Sequence, residues 1–264
     1  MKNILVPVGA TESAITNLKY AINLASLSGA TVYLINAYKE FSKVGSLTKL
    51  NELIIEDSEQ QLNRVLKEVN TKGVEVISKS LKGDPFDGIQ RIASQQNIDL
   101  IILSPQSVDI NDELYLGNIT GKIVKQTSIP VLLVPKGYIF RKAETILLAF
   151  KNGHLENNDV LSPLKDIAGY FSAKINLLHV ITPGTAEEGK EVDAPLKEIS
   201  NSLMLTKNAT IFQGVLEHFQ SHQPDILCVF RRKRGFFEKL WEKNTILKKD
   251  FYTTKPLLVL HSAE

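Results

Sequence analysis

The chain is written twice, and no other feature restricts its fold as much. "DLIILSPQS" (residues 99–107) lies over "DILCVFRRK" (225–233) at an offset of 126. At that offset Asn118 falls on Asn244, Pro130 on Pro256, and "PVLLV" (130–134) on "PLLVL" (256–260) without a gap. Near the front, "NILVPV" (3–8) matches "TILLAF" (145–150), and "GATVYLINA" (29–37) matches "SAKINLLHV" (172–180) at an offset of 143. The change of offset means that the second copy is about 17 residues shorter between its second and fourth strands. A repeat of this length marks a unit that folds the same way each time, and 264 residues suit two units of roughly 130. The division expected is 1–137 and 144–264, joined by "KGYIFRKAE" (136–144), which is too short for a flexible tether.

Each copy alternates strand and helix. In the first, 3–8 is a short Ile/Leu/Val run, read as a buried strand. Thr11 is placed at a helix start, and Ile15, Leu18, Ala21, Ile22 and Ala25 give one apolar face. Gly29 ends that helix. Strands follow at 31–37, 74–81, 100–103 and 130–134. Helices are expected over 49–69, from Asp84 as N-cap with Pro85 at the first position, and over 116–126. In the second copy strands are expected at 145–150, 174–181, 199–205, 225–230 and 256–261, and helices at 157–171, 190–198, 210–221 and 237–252. This alternation predicts an α/β fold of two tandem, open, parallel five-stranded sheets with helices on both faces, Rossmann-like in plan. The last strands, 130–134 and 256–260, are placed to pair across the junction. Ligands in such sheets bind at the carboxyl ends of strands where the strand order reverses. That selects "VGATES" (8–13) and "SPQSVDINDELYLGN" (104–118).

Composition excludes several classes. Hydrophobic residues make up 43% and charged residues 23%, an ordinary globular balance. The single cysteine, Cys228, permits no internal disulfide and stands in an apolar run, which favours packing over reactivity. No apolar run reaches the length of a membrane span, and no signal-peptide pattern opens the chain, so a cytoplasmic protein without membrane contact is expected. Residues 1–137 carry 14 Lys/Arg and 14 Asp/Glu, whereas 231–249 carry eight basic and two acidic residues. The molecule is a neutral body with one basic patch.

With these residues in hand, the chain resembles the universal stress protein (UspA) family in its tandem form. The resemblance rests on "ILVPV" with its Ser-containing helix start, "LASLSGATVYLINA", "KGDPFDGI", "DLIILS" and "GNITGKIVKQTSIPVLLVP". It covers nearly the whole chain and implies an adenine nucleotide alpha hydrolase-like fold. ATP-binding members carry Gly-x2-Gly-x9-Gly-Ser/Thr after the fourth strand, where glycines let backbone N–H groups approach phosphate oxygens. Here Ser104, Ser107, Gly117 and Asn118 occupy the four positions, with Thr120 offering a hydroxyl two residues later. One glycine of three remains. Gly9 replaces the family's Asp after the first strand, beside Pro7 and Val8, and the end of strand two, at Asn36 and Ala37, would line an adenine pocket. The resemblance thus implies ATP or AMP in the first copy. In the second copy Phe230, Lys233, Lys243 and Asn244 take the motif positions and Lys151 replaces the Asp, so no cofactor is expected there.

The basic run Arg231, Arg232, Lys233 and Arg234 occupies the phosphate loop of the second copy, followed by Phe236, Phe237, Leu240 and Trp241 at near-helical spacing. A solvated loop before a packing helix is the favoured reading, ahead of an anionic-partner patch and well ahead of nucleic-acid binding. No nucleophile elbow and no Walker loop occur. His218 and His222 stand four apart and share a helix face. Without a third ligand near them in sequence, an ordinary helix face is favoured over a zinc site. Asp99 and Asp225, at matching places in the repeat, are read as turn residues.

Three functional readings stay open. The leading one is a non-catalytic stress-response protein with weak or lost adenine-nucleotide binding, acting through conformation or contact with an unidentified protein partner. The second is an ATP/AMP binder or slow ATPase using the first copy. The third is a docking module that grips an anionic partner through 231–234. The resemblance also implies self-association, with an internal pseudo-dimer supplied by the tandem chain and a homodimer as a further expectation.

Overall fold

The computed structural model describes residues 1–9, 11–39, 48–106, 114–183, 191–209, 211–231, 246–247 and 252–261. Strands β1 (Asn3–Pro7), β2 (Thr31–Tyr38), β3 (Val76–Lys82) and β4 (Leu100–Leu103) come first, with α1 (Thr11–Ser28), α2 (Thr48–Lys67) and α3 (Pro85–Gln95) between them. A three-residue strand, β5 (Leu114–Leu116), precedes α4 (Asn118–Gln126) and β6 (Val131–Leu133). The second half runs β7 (Thr145–Phe150), a single 3-10 turn (Asn158–Leu161), α5 (Ser162–Phe171), β8 (Lys174–Ile181), α6 (Ala194–Glu198), β9 (Ser202–Lys207), α7 (Ile211–His222), β10 (Ile226–Arg231), β11 (Ile246–Leu247) and β12 (Leu257–His261).

Local chemistry accounts for the elements. Leu18, Ala21, Ile22 and Ala25 recur at helical spacing on α1 and are all buried. Gly29, at φ +74°, stops that helix in the left-handed region and donates its N–H to the Ala25 carbonyl. Asp84 caps α3 by accepting the Phe86 N–H at 3.0 Å, with Pro85 at the first helical position. Leu100–Leu103 is buried at every residue, as a central parallel strand covered on both faces must be.

The expected sheets are joined into one. The order is β3-β2-β1-β4-β6-β12-β10-β7-β8-β9, ten strands in a single sheet. Every neighbouring pair is parallel except β6 and β12, which pair antiparallel at the seam. There Leu132 faces Leu258, flanked by Leu133 with Leu257 and Val131 with Val259. Leu132 and Leu258 are separated by the repeat offset of 126, so each strand pairs with its own counterpart about an internal two-fold. Both hydrophobic cores, one on each face, run through the seam from the first half into the second.

Two expectations need revision. The residues before Asn118 form β5 instead of opening α4, and residues 246–247, expected within a helix over 237–252, form β11. β5 and β11 pair antiparallel with each other, Leu116 opposite Ile246 and Leu114 opposite Leu247, which gives a second tie between the halves. The shorter second copy is visible as helix length: α2 has 20 residues and its counterpart α6 has five. Asp99 and Asp225 do the same work in each half. Asp99 accepts the N–H groups of Lys2 and Asn3, and Asp225 those of Glu144 and Thr145, so each fixes the start of its first strand. No helix among the described residues is long and apolar enough to cross a membrane.

Candidate functional site

β1 and β4 lie side by side in the first half, yet their chains leave in opposite directions, to α1 and toward α4. Their carboxyl ends therefore open the crevice where parallel sheets of this kind hold ligands. Pro7 ends β1, the Val8 N–H donates to the Ile35 carbonyl at 2.7 Å, and Gly9 follows, partly exposed. At the end of β2 the two expected pocket residues face opposite ways. Asn36 is buried and donates its amide to the Ser58 carbonyl and to Gln61 Oε1 on α2. Ala37 turns toward Gly88 of α3.

The end of β4 is closed by its own hydrogen bonds. Ser104 is 2% exposed, and its hydroxyl donates to Asn17 Oδ1 on α1 at 3.1 Å. Its carbonyl accepts the hydroxyl of Thr120, fully buried on α4, at 3.0 Å. Two of the three hydroxyls expected to face a phosphate, those of Ser104 and Thr120, are therefore engaged within the protein. Ser107 lies outside the described residues. The Gly117 N–H donates to the Pro105 carbonyl and returns the loop to the start of α4. Gly117 is the N-cap of α4 at φ −77° and ψ 163°, with no side-chain cap, and Asn118 is exposed at the first helical position. Gly117 has no side chain with which to cap α4, and the helix places a partial positive charge at the crevice.

Charged side chains border this end of the sheet. Asp84 meets Lys39 at 3.0 Å and Lys122 at 3.8 Å, and Lys122 sits 4.6 Å above the centre of the Phe86 ring. The hydrogen bond from Lys39 is the main cause that holds the Asp84 carboxyl below its usual range. Glu12 at the start of α1 pairs with Lys136 after β6 at 2.6 Å. These surface pairs add little to stability by themselves.

The corresponding place in the second half is filled by protein. Phe230 stands at the Ser104 position and Phe150 at the Val8 position, 4% and 2% exposed. His179, at the Asn36 position and fully buried, stacks on Phe150 with ring centres 5.1 Å apart and donates from Nε2 to the Lys151 carbonyl.

Of the basic run, only Arg231 is among the described residues, and it does not join an outward patch. Its guanidinium crosses the seam, donating to the carbonyls of Lys125 and Thr127 at the end of α4 and to His261 Nδ1 at 2.8 Å. A planar, multi-donor cation suits the last carbonyls and negative dipole end of a helix. Arg232, Lys233 and Arg234 lie outside the described residues. Asn17 was not anticipated in the site. Its signal was available: a polar residue on the buried face of α1, three after Ala14 and four before Ala21.

Comparison with known proteins agrees with this architecture. The profile described as the universal stress protein family matches residues 1–135. A universal stress protein of Methanocaldococcus jannaschii is 27% identical over 140 residues, covering 51% of this chain and 82% of its own length. A second from the same organism is 25% identical over 154 residues, covering 51% and 95%. A crystal structure of a universal stress protein from Archaeoglobus fulgidus superposes with a TM-score of 0.71 at 12% identity, across 99% of this chain and 97% of that one. At that identity the likeness speaks for the fold alone, which extends over both halves.

Proposed function

The chain belongs to the universal stress protein family, and from that premise we propose that it is a non-catalytic stress-response protein with weakened adenine-nucleotide binding. The two repeats, 1–137 and 144–264, act in this reading as a pseudo-dimer within one chain, leaving a protein partner and a further homodimer as contacts of the whole unit. One observation carries the proposal: the hydroxyls of Ser104 and Thr120 are drawn into a buried network with Asn17. In a loop that keeps one of three motif glycines, little remains to grip a triphosphate. The filling of the second crevice by Phe150 and Phe230 supports placing no nucleotide there. Calorimetric titration with ATP and with AMP tests this. The expected result is no affinity tighter than about 1 μM; sub-micromolar binding at two sites per chain would overturn it.

A second reading is favoured by the N-terminus of α4, which opens on the crevice with a glycine as its N-cap residue. An AMP or ATP molecule, hydrolysed slowly if at all, would lie along Pro7, Val8, Gly9 and Ala37 with its phosphate near Ser104, Ser107, Gly117, Asn118 and Thr120. Helix N-termini of this kind bind phosphate through backbone N–H groups. Gly117→Val would then fill the phosphate space and abolish binding. If wild type binds and the variant binds equally, the phosphate lies elsewhere.

A further inference from the structure

We propose that His218 and His222, on the last turns of α7, form a two-imidazole chelate for a divalent transition-metal ion. The rings are stacked with centres 3.9 Å apart and planes 12° from parallel. Two nitrogens bound to one zinc-like ion at about 2.0–2.1 Å each can be at most about 4 Å apart. Chelation needs the two rings to turn out of the parallel stack until one in-plane lone pair of each converges on the ion, a side-chain rotation that leaves α7 in place.

The hydrogen bonds around His222 suit one of its tautomers. The Ser221 hydroxyl donates its proton to a backbone carbonyl, that of Glu217 or of His218, each at 3.0 Å. In the tautomer with Nδ1 protonated, His222 donates to Ser221 Oγ at 2.8 Å and to the His218 carbonyl at 3.2 Å. With Nδ1 protonated, Nε2 of His222 keeps its lone pair. A ligating histidine is commonly held in this way, with its second ring nitrogen donating to a carbonyl or other outer acceptor. On His218, Nε2 is buried and has no hydrogen-bond partner, an arrangement that costs free energy unless something binds it.

The position on the helix helps. Both rings lie at the carboxyl end of α7, where the helix dipole favours a cation. Among the described residues no group of three His, Cys, Asp or Glu side chains converges, so the proposed site is the histidine pair. Two neutral imidazoles with open positions suit copper, nickel and zinc, with Cu²⁺ bound most tightly by the general order of divalent ions.

The full chain, stripped of metal, is titrated with Cu²⁺, Ni²⁺ and Zn²⁺, and the copper form is examined by electron paramagnetic resonance. One ion per chain with superhyperfine coupling to two nitrogens is expected, Cu²⁺ binding ahead of the other two. His218→Ala and His222→Ala should each remove one nitrogen from the spectrum and weaken binding by at least about tenfold, the lower end of what losing even an outer-shell partner costs. His222→Gln, at an exposed position that keeps the helix intact, should behave like His222→Ala, while His154→Ala, on another part of the surface, should leave binding unchanged. No copper bound at stoichiometric metal, or equal affinity in either α7 variant, overturns the proposal.

Discussion

At the scale of single residues, the most consequential side chain is one that a charge count assigns to the surface. Arg231 begins a basic run, yet it caps the end of α4 across the seam and leans on His261. Since the guanidinium is a donor only, a ring nitrogen of His261 must accept from it, and the ring is therefore neutral. Burial, and then the Arg231 charge, hold its pKa below the ordinary 6.5. His218 is lowered in the same direction. The unfolded chain therefore takes up these protons first as pH falls. The stability contributed by the neutral rings is full above about 6.5 and is lost on descent toward the folded-state values. Urea midpoints should fall between about pH 7 and about pH 5, and His261→Gln should flatten the fall. A wild-type midpoint indifferent to pH over that interval would contradict the assignment. A second residue test concerns the closed crevice. Thr120→Val keeps the shape but leaves the Ser104 carbonyl buried without its donor, which should cost about 1–3 kcal/mol in urea denaturation. No loss would mean that the Ser104 carbonyl finds another donor.

At the scale of elements, the second copy departs from the first where α2 gives way to α6. The shortened connection is held close to the loop after β7. Gly153 forms a parallel bridge with Val192, its carbonyl accepts the Asp193 N–H, and Asp193 in turn accepts the Leu155 N–H at 2.8 Å. A Cβ on Gly153 would collide with the Glu191 carbonyl oxygen, a backbone atom that has little room to yield. Gly153→Ala should therefore cost about 1–3 kcal/mol as an overpacked contact, with increased amide exchange around 191–193. Unchanged stability and exchange would show that the bridge is dispensable. This element also shows why some structure was legible in sequence and some was not. Apolar runs such as "ILLAF" and the Asp84–Pro85 start carry their conformation locally, and their positions were read to within a residue or two. β5 and β11 are two or three residues long, carry no periodicity of their own, and form because each finds the other across more than a hundred residues. The Ser104–Asn17 bond is non-local in the same way. The crevice could be located from the strand pattern, whereas the engagement of its hydroxyls depended on a partner 87 residues away.

At the scale of the whole molecule, the repeat offset reappears as geometry. Leu132 and Leu258 are equivalent in the two copies and opposite one another in the sheet, and both are fully buried. A seam built on this pair gives each half the neighbour that its last strand would otherwise lack, and an uncovered edge strand is a standing invitation to aggregation. Both cores continue through it. The halves should then unfold together although each has the topology of a complete unit. Leu132→Ala and Leu258→Ala remove equivalent side chains from equivalent surroundings, so each should cost a similar amount, about 2–5 kcal/mol. Because the two side chains are cross-strand neighbours, the double variant should differ from the sum of the singles by about 0.5–3 kcal/mol. Far-ultraviolet circular dichroism and tyrosine fluorescence should report the same transition in wild type and in both single variants. The seam idea requires that neither half be spared. If Leu258→Ala splits the curve into two steps, with one step at the wild-type midpoint, the copies are thermodynamically separate and the continuous sheet contributes contact without cooperativity.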